Sequence, residues 1–225
     1  MLHNFSKFGI IAHARTGSSA LLRTLGLHPR IDGKILWEPF GWRNKPPAGT
    51  EPIGHITKLM KNRCGFKHLF GQVTEQTNYK ICAMNGYKFV TLRRRNLLES
   101  EVSFQLAVAT NHWNRLRKST YFEDLKKCEV TIDIKDLAKQ IKKKKRQHQL
   151  MQELDAHQIF YEDLYFGDKE GQLKKMLKYL GYSPVVTDEM LEILDNKHKL
   201  NNNETYKLIK NIDEIEQVFG PLITS

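Results

Sequence analysis

An alternation along the chain limits its possible folds more than any other feature. Short β-type runs occur at 5–13 (FSKFGIIAH), 64–70 (CGFKHLF), 87–94 (YKFVTLRR) and 157–164 (HQIFYEDL), and stretches with helical spacing lie at 51–62, 96–113, 133–154 and 172–181. A helix between two strands returns the chain across the sheet, so such strands pair in parallel and need apolar cover on both faces. The fold class expected is α/β, a mostly parallel sheet with helices on both faces. Ligands of such sheets bind beyond the carboxyl ends of the strands. The 225 residues, 40% of them hydrophobic, suffice for one sizeable core, so a single domain spanning 1–225 is expected. A terminal helix is expected at 204–219, and the glycine- and proline-rich stretch 39–54 reads as a surface loop placed to act as a lid.

Several classes are excluded early. The apolar runs are too short to span a bilayer, and MLHNFSKFG lacks the basic-then-apolar layout of a secretory signal, which points to a cytoplasmic protein without a membrane span. Cys64, Cys82 and Cys128 are odd in number and widely spaced, so neither a disulfide framework nor a zinc site is suggested. The net charge of +11 favours an anionic partner without choosing one. Part of that charge sits in the run from Lys142 to Arg146, which reads either as a solvated helix face or as a binding patch; it has no aromatic groups to stack on bases.

Residues 8–19, FGIIAHARTGSS, end a strand in a polar turn. Ala20, Leu21, Leu22 and Leu25 then follow at helical spacing until Gly26 and Pro29 stop the helix. The first N–H groups of a helix have no intrahelical acceptor, and the helix dipole adds positive charge there. Gly17 allows a tight turn and a close anion approach, the hydroxyls of Thr16, Ser18 and Ser19 add donors, and Arg15 offers a fork-shaped cation. Two readings stand for this stretch: an anion cradle, and a plain serine N-cap after a strand. A nucleoside-triphosphate loop fits poorly, because Ser18 stands where that loop has its lysine and Gly9 is too far upstream.

A second basic cluster follows another strand. In YKFVTLRRRNLLESEVSFQLA (87–107) a strand runs into three arginines and a helix, with Ser103 eight residues after Arg95. Two strand ends with separate cationic or hydroxyl groups suit a ligand with two separate anionic groups.

With these stretches in view, the sequence resembles the sulfotransferases that use 3'-phosphoadenosine-5'-phosphosulfate (PAPS). ARTGSSALLRTLGLHPRI is similar to their loop for the 5'-phosphosulfate, and LRRRNLLESEVS to their 3'-phosphate motif. LWEPF (36–40), GFKHLFGQ (65–72) and IFYEDL (159–164) are similar to segments of the bacterial, trehalose-type carbohydrate sulfotransferases. The resemblance implies a three-layer, P-loop-like fold with PAPS as donor and no metal. It implies that Arg15, Thr16, Gly17, Ser18 and Ser19 hold the 5'-phosphosulfate and that Arg95 and Ser103 grip the 3'-phosphate. It implies Glu38 as general base, with Arg15 assisting transfer. The acceptor implied is a hydroxyl of a carbohydrate, a glycolipid or another small molecule; no specific nucleic acid is expected, and a homodimer is left open.

Sulfuryl transfer builds negative charge on the departing phosphate oxygen, so cations and N–H groups aimed there lower the barrier. An acceptor hydroxyl needs a proton acceptor, which a carboxylate within hydrogen-bond reach supplies. For Glu38 the alternative is a loop carboxylate paired with Arg43. Lys67 either faces the site or extends to the sheet edge. Tyr161 and Glu162 organise the loop near the arginines or cap a helix; His13 supports the loop; Trp37, Phe40 and Trp42 line a sugar pocket or pack locally. Two other functions remain as alternatives, a nucleotide or small-molecule kinase and a nucleic-acid-binding protein using the basic run.

Overall fold

The computed structural model describes residues 7–113, 118–195 and 201–222. In chain order the elements are β1 (Lys7–Ala12), α1 (Ser18–Gly26), β2 (Ile35–Trp37), α2 (Pro52–Leu59), β3 (Gly65–Leu69), α3 (Glu75–Cys82), β4 (Tyr87–Arg93) and α4 (Leu97–Thr110). They continue with α5 (Lys118–Cys128), α6 (Ile134–Gln152), β5 (His157–Phe160), α7 (Tyr161–Tyr165), α8 (Lys169–Leu180), α9 (Asp188–Ile193), α10 (Asn203–Tyr206) and α11 (Ile212–Phe219). The chain divides into two compact units, Met1–Arg95 with Gln149–Asp195, and Asn96–His148 with Asn196–Ser225.

The first unit holds a sheet in the order β2-β3-β1-β4-β5 with every pairing parallel. Side chains of a strand alternate between faces, and the core follows that period. Phe8, Ile10, Ala12, Val90, Leu92 and Ile159 join one cluster with Leu21, Leu25, Leu173, Leu177 and Met190 of α1, α8 and α9. Ile11, Phe66 and Phe89 join another with Ile56 of α2, Ile81 of α3, Met151 and Leu154. This is the three-layer α/β architecture expected from the alternation. At Gly65 a β-carbon would lie 2.2 Å from the Phe8 ring, so the residue paired with Phe8 in β1 has to be glycine.

From β1 the chain crosses to the β2 side of the sheet, and from β4 it crosses to the β5 side. The neighbours β1 and β4 therefore form the topological switch point, where open parallel sheets bind ligands beyond the strand ends. Both basic stretches, after β1 and after β4, lie at that place.

The second unit is helical among its described residues. Val102, Leu106, Tyr121, Leu125, Leu137, Tyr206, Ile209 and Ile215 form its core. Asn96 caps α4 by accepting from the Glu99 N–H at 2.9 Å. Two buried polar clusters are paired there: Lys144 Nζ lies 2.8 Å from Glu101 Oε2 and 3.2 Å from Ser100 Oγ, and the Tyr206 hydroxyl donates to Glu99 Oε1 at 3.1 Å.

Several expected boundaries change. Residues 5 and 6 of the first run lie outside the described residues. The 157–164 run is a strand only to Phe160; YEDLY forms α7, with Tyr161, Leu164 and Tyr165 buried at helical spacing. The loop expected at 39–54 gives way to α2 at Pro52, capped by the Glu51 side chain. The single terminal helix expected at 204–219 is two short helices, α10 and α11. With α7, five elements had not been expected: β2, α3, α5, α7 and α9. Among the described residues no helix is long and apolar enough to cross a membrane.

Candidate active site

The turn after β1 is stabilised from within. Thr16 is buried, and its hydroxyl donates to the His13 carbonyl at 2.8 Å, so it braces the loop rather than pointing outward. Arg15 has a left-handed φ of 65°, and Arg94 Nη1 donates to its carbonyl at 3.1 Å. Gly17, not a serine, is the N-cap of α1, with φ 77° and no side-chain cap, which removes the plain serine-cap reading. Glycine is required there twice over. The left-handed backbone disfavours any β-carbon, and a β-carbon would lie 2.7 Å from the ring of Tyr165, whose hydroxyl donates to the Gly17 carbonyl at 2.6 Å. Burial pushes the Tyr165 hydroxyl well above its ordinary pKa, so it stays a donor. Ser18 and Ser19 open the helix, and their N–H groups have no intrahelical acceptor.

Glu38 follows β2, where Trp37 is in register with Lys67 of β3. It adopts a left-handed φ of 37°, and its carbonyl accepts from the Gly41 N–H at 2.9 Å and Asn44 Nδ2 at 3.2 Å, which secures the turn. The carboxylate bonds to two side chains. Lys67 Nζ is 2.6 Å from Oε1, and Gln72 Nε2, from the 3-10 turn after β3, donates to Oε2 at 2.8 Å. Lys67 also donates to Ser19 Oγ at 3.1 Å. One ammonium thus joins the WEPF carboxylate to the first turn of α1.

Lys67 is only 3% exposed, so it does not extend to the sheet edge. Burial lowers its pKa from the ordinary lysine value, and the Glu38 carboxylate opposes that shift. Its neighbour His68 faces the other side of the sheet. There it bonds to Asn78 Oδ1 at 2.8 Å, and full burial lowers its pKa to about 4.

The arginines after β4 have three different environments. Arg95 makes a bidentate pair with Asp163, both contacts 2.7 Å, while its backbone N–H donates to the Glu162 carboxylate at 3.0 and 3.1 Å. That hydrogen-bonded pair raises the Arg95 pKa and lowers that of Asp163. Arg93 and Arg95 both lie on the Phe160 ring, at 4.6 and 4.2 Å. Arg94 is buried, lies 4.4 Å from the Tyr161 ring centre and reaches the Arg15 carbonyl, so this residue ties the two basic loops together. Ser103 belongs to the second unit, where it is buried and accepts from Asn201 Nδ2 at 2.8 Å; Asn201 Oδ1 in turn accepts from the Tyr121 hydroxyl.

The expected aromatic residues also separate. Phe40 packs against His55 and His68 in the core. Trp37 and Trp42 remain exposed, and the Trp37 ring centre is 5.1 Å from the Lys67 ammonium and 5.7 Å from the Arg23 guanidinium. His13 is buried beside Phe70. Gln72 and Arg94 are residues to which sequence reasoning gave no role, and for Lys67 it left two placements open, toward the site and toward the sheet edge. A lysine within the apolar strand GFKHL was the available signal, because a buried parallel strand holds a cation only beside a partner.

No protein-family model matches this chain, and no curated protein matches it. Among solved structures the chain is similar to a sulfotransferase from Alicyclobacillus acidocaldarius, with a TM-score of 0.52, 16% identity, and coverage of 96% of this chain and 92% of that one. It is also similar to the sulfotransferase domain from the curacin biosynthetic pathway, with a TM-score of 0.43, 12% identity, and coverage of 89% and 81%. At 16% identity the first likeness is one of fold: a five-stranded parallel α/β sheet with the P-loop-like architecture of a sulfotransferase.

Proposed function

We propose that this chain is a PAPS-dependent sulfotransferase that transfers a sulfuryl group to a hydroxyl of a carbohydrate or glycolipid, working as one sulfotransferase domain. The observation that carries the reading is the Lys67 ammonium, in contact with both Glu38 and Ser19. It brings a candidate base and a candidate anion cradle within one side chain of each other.

In this reading Gly17, Ser18 and Ser19 present N–H groups to the 5'-phosphosulfate from the start of α1, and Arg15 adds a cation. Thr16 acts through the loop that its hydroxyl braces. The acceptor oxygen attacks sulfur, the bond between sulfur and the phosphate oxygen breaks, and the acceptor proton passes to Glu38. The products are a sulfate ester and 3'-phosphoadenosine-5'-phosphate. Lys67 and the helix N-terminus stabilise the charge that grows on the departing phosphate. Gln72 holds Glu38 Oε2 and orients the carboxylate toward the acceptor. Arg95 exchanges Asp163 for the 3'-phosphate, and Trp37 and Trp42 offer ring faces to a sugar.

Thermal shift tests the donor site. 3'-Phosphoadenosine-5'-phosphate is expected to stabilise the chain and AMP to do so much less; equal responses remove the 3'-phosphate site. Glu38→Gln is expected to cut turnover while nucleotide binding persists, and loss of both together makes Glu38 structural.

A further inference from the structure

Charge around the Trp37 ring is unbalanced. Trp37 and Lys67 are in register on neighbouring strands, so both point to one face of the sheet, the face that carries α1. Ser19 and Arg23, four residues apart, lie on one side of α1 with their β-carbons roughly 6 Å apart. Lys67 meets Ser19 at 3.1 Å, and the Trp37 ring centre is 5.1 Å from Lys67 Nζ and 5.7 Å from Arg23 Cζ. Two cations thus adjoin one ring, which is 43% exposed.

The two cations differ in compensation. Lys67 has Glu38 at 2.6 Å. Arg23 is exposed, and among the described residues no carboxylate lies within ion-pair distance of it. Lys67 feels that uncompensated charge: burial lowers the lysine pKa most, Glu38 opposes the shift, and Arg23 adds to the lowering. A negative group held by Arg23 would relieve the repulsion and leave the Lys67–Glu38 pair intact. A guanidinium against an aromatic ring keeps its planar fork of donors, which matches a carboxylate, sulfate or phosphate.

We infer that Arg23 and Trp37 form an acceptor subsite that selects a ring compound carrying a negative group. The ring lies on Trp37, the anion on Arg23 and the reacting hydroxyl toward Glu38. The preference for an anion is read from the uncompensated guanidinium; the hydroxyl at Glu38 rests on the sulfotransferase reading. An exposed indole offers flat apolar contact to a sugar or an aromatic ring alike, so the negative group is what the subsite discriminates. A neutral ring would leave Arg23 as it stands, beside a second cation.

The test is ligand-observed NMR on the full chain, with and without 3'-phosphoadenosine-5'-phosphate, using two matched pairs of probes. These are methyl glucuronide against methyl glucoside and para-hydroxybenzoate against phenol. In at least one pair the anionic member is expected to bind about threefold to fivefold tighter, the scale of one exposed ion pair. Arg23→Gln is expected to erase that difference, and Trp37→Leu to weaken both members together. Arg23 and Trp37 are exposed, so the variants should keep the fold, which a thermal melt checks. Equal affinity within both pairs overturns the inference, as does binding by none of the four probes or an anionic preference that survives Arg23→Gln. Loss of 3'-phosphoadenosine-5'-phosphate affinity in Arg23→Gln overturns it too, by assigning Arg23 to the donor. The thermal shift with that nucleotide against AMP reports separately on the donor site. Its failure beside an intact, Arg23-dependent preference removes the enzyme reading and leaves the anion subsite standing.

Discussion

The Lys67–Glu38 pair predicts an asymmetry that a double-mutant cycle reads directly. Lys67 is 3% exposed and Glu38 26%, with 2.6 Å between the charged atoms. Glu38→Gln strands an ammonium in the interior, and breaking a buried pair from that side costs about 3 kcal/mol. Lys67→Met leaves a carboxylate that water reaches and that Gln72 still holds, at a cost of about 1 kcal/mol. The double variant has no orphaned charge, so it should also lose about 1 kcal/mol rather than the additive value of roughly 4, an interaction energy of about 3 kcal/mol. Urea unfolding followed by tryptophan fluorescence suits the measurement, since Trp37 lies on the Lys67 ammonium. At an m-value of about 2 kcal/mol per M, Glu38→Gln lowers the midpoint by about 1.5 M and the other two variants by about 0.5 M. The pH dependence has a definite sign as well. The folded-state pKa of Lys67 lies below its ordinary value of 10.5, so the unfolded chain binds more protons between the two values. Stability conferred by Lys67 relative to Lys67→Met therefore rises with pH across that window. Equal losses for the two single variants, or a double variant at the additive value, would refute the claim that the lysine is the buried partner.

Three further outcomes follow from the same geometry. His68 has a folded pKa of about 4 against 6.5 unfolded, so its contribution is complete above pH 6.5 and about 3 kcal/mol of stability is lost as pH falls through 4; His68→Gln should flatten that part of an acid denaturation curve. Gly17→Ala should destabilise by about 2 kcal/mol or more, from the left-handed backbone and the Tyr165 ring together, and Gly17→Ala/Tyr165→Leu should recover the steric part in a thermal melt. Arg95 and Asp163 are about half exposed, so Arg95→Ala should cost less than about 1 kcal/mol of stability, yet it should abolish the preference for 3'-phosphoadenosine-5'-phosphate over AMP in the thermal-shift comparison.

Much of this architecture is local and can be read from neighbouring residues. The period-2 runs of β1, β3 and β4 carry their own pattern, as do the Gly17 turn and the apolar spacing of α1, and the alternation of these segments implies a parallel sheet. The missed elements had weak local signals. β2 is three residues long, too short to show a period, and α3 is announced only by Thr74, whose hydroxyl accepts from the Thr77 N–H. In YEDLY the helical spacing of Tyr161, Leu164 and Tyr165 was hidden by the apolar run before it.

The sequence alone determined the strand-turn-helix at RTGSS and the arginine run after another strand, because each depends on residues adjacent in the chain. Tertiary structure alone decided which groups meet. Lys67 reaches Ser19 across 48 residues and Arg94 reaches Arg15 across 79, while Arg95 is committed to Asp163 and Lys144 is drawn out of the basic run. These choices follow from strand order and register, which bring distant side chains to one end of a sheet or turn a helix by a fixed angle. Pairing a buried charge then depends on what lies across the strand, and local pattern does not encode that.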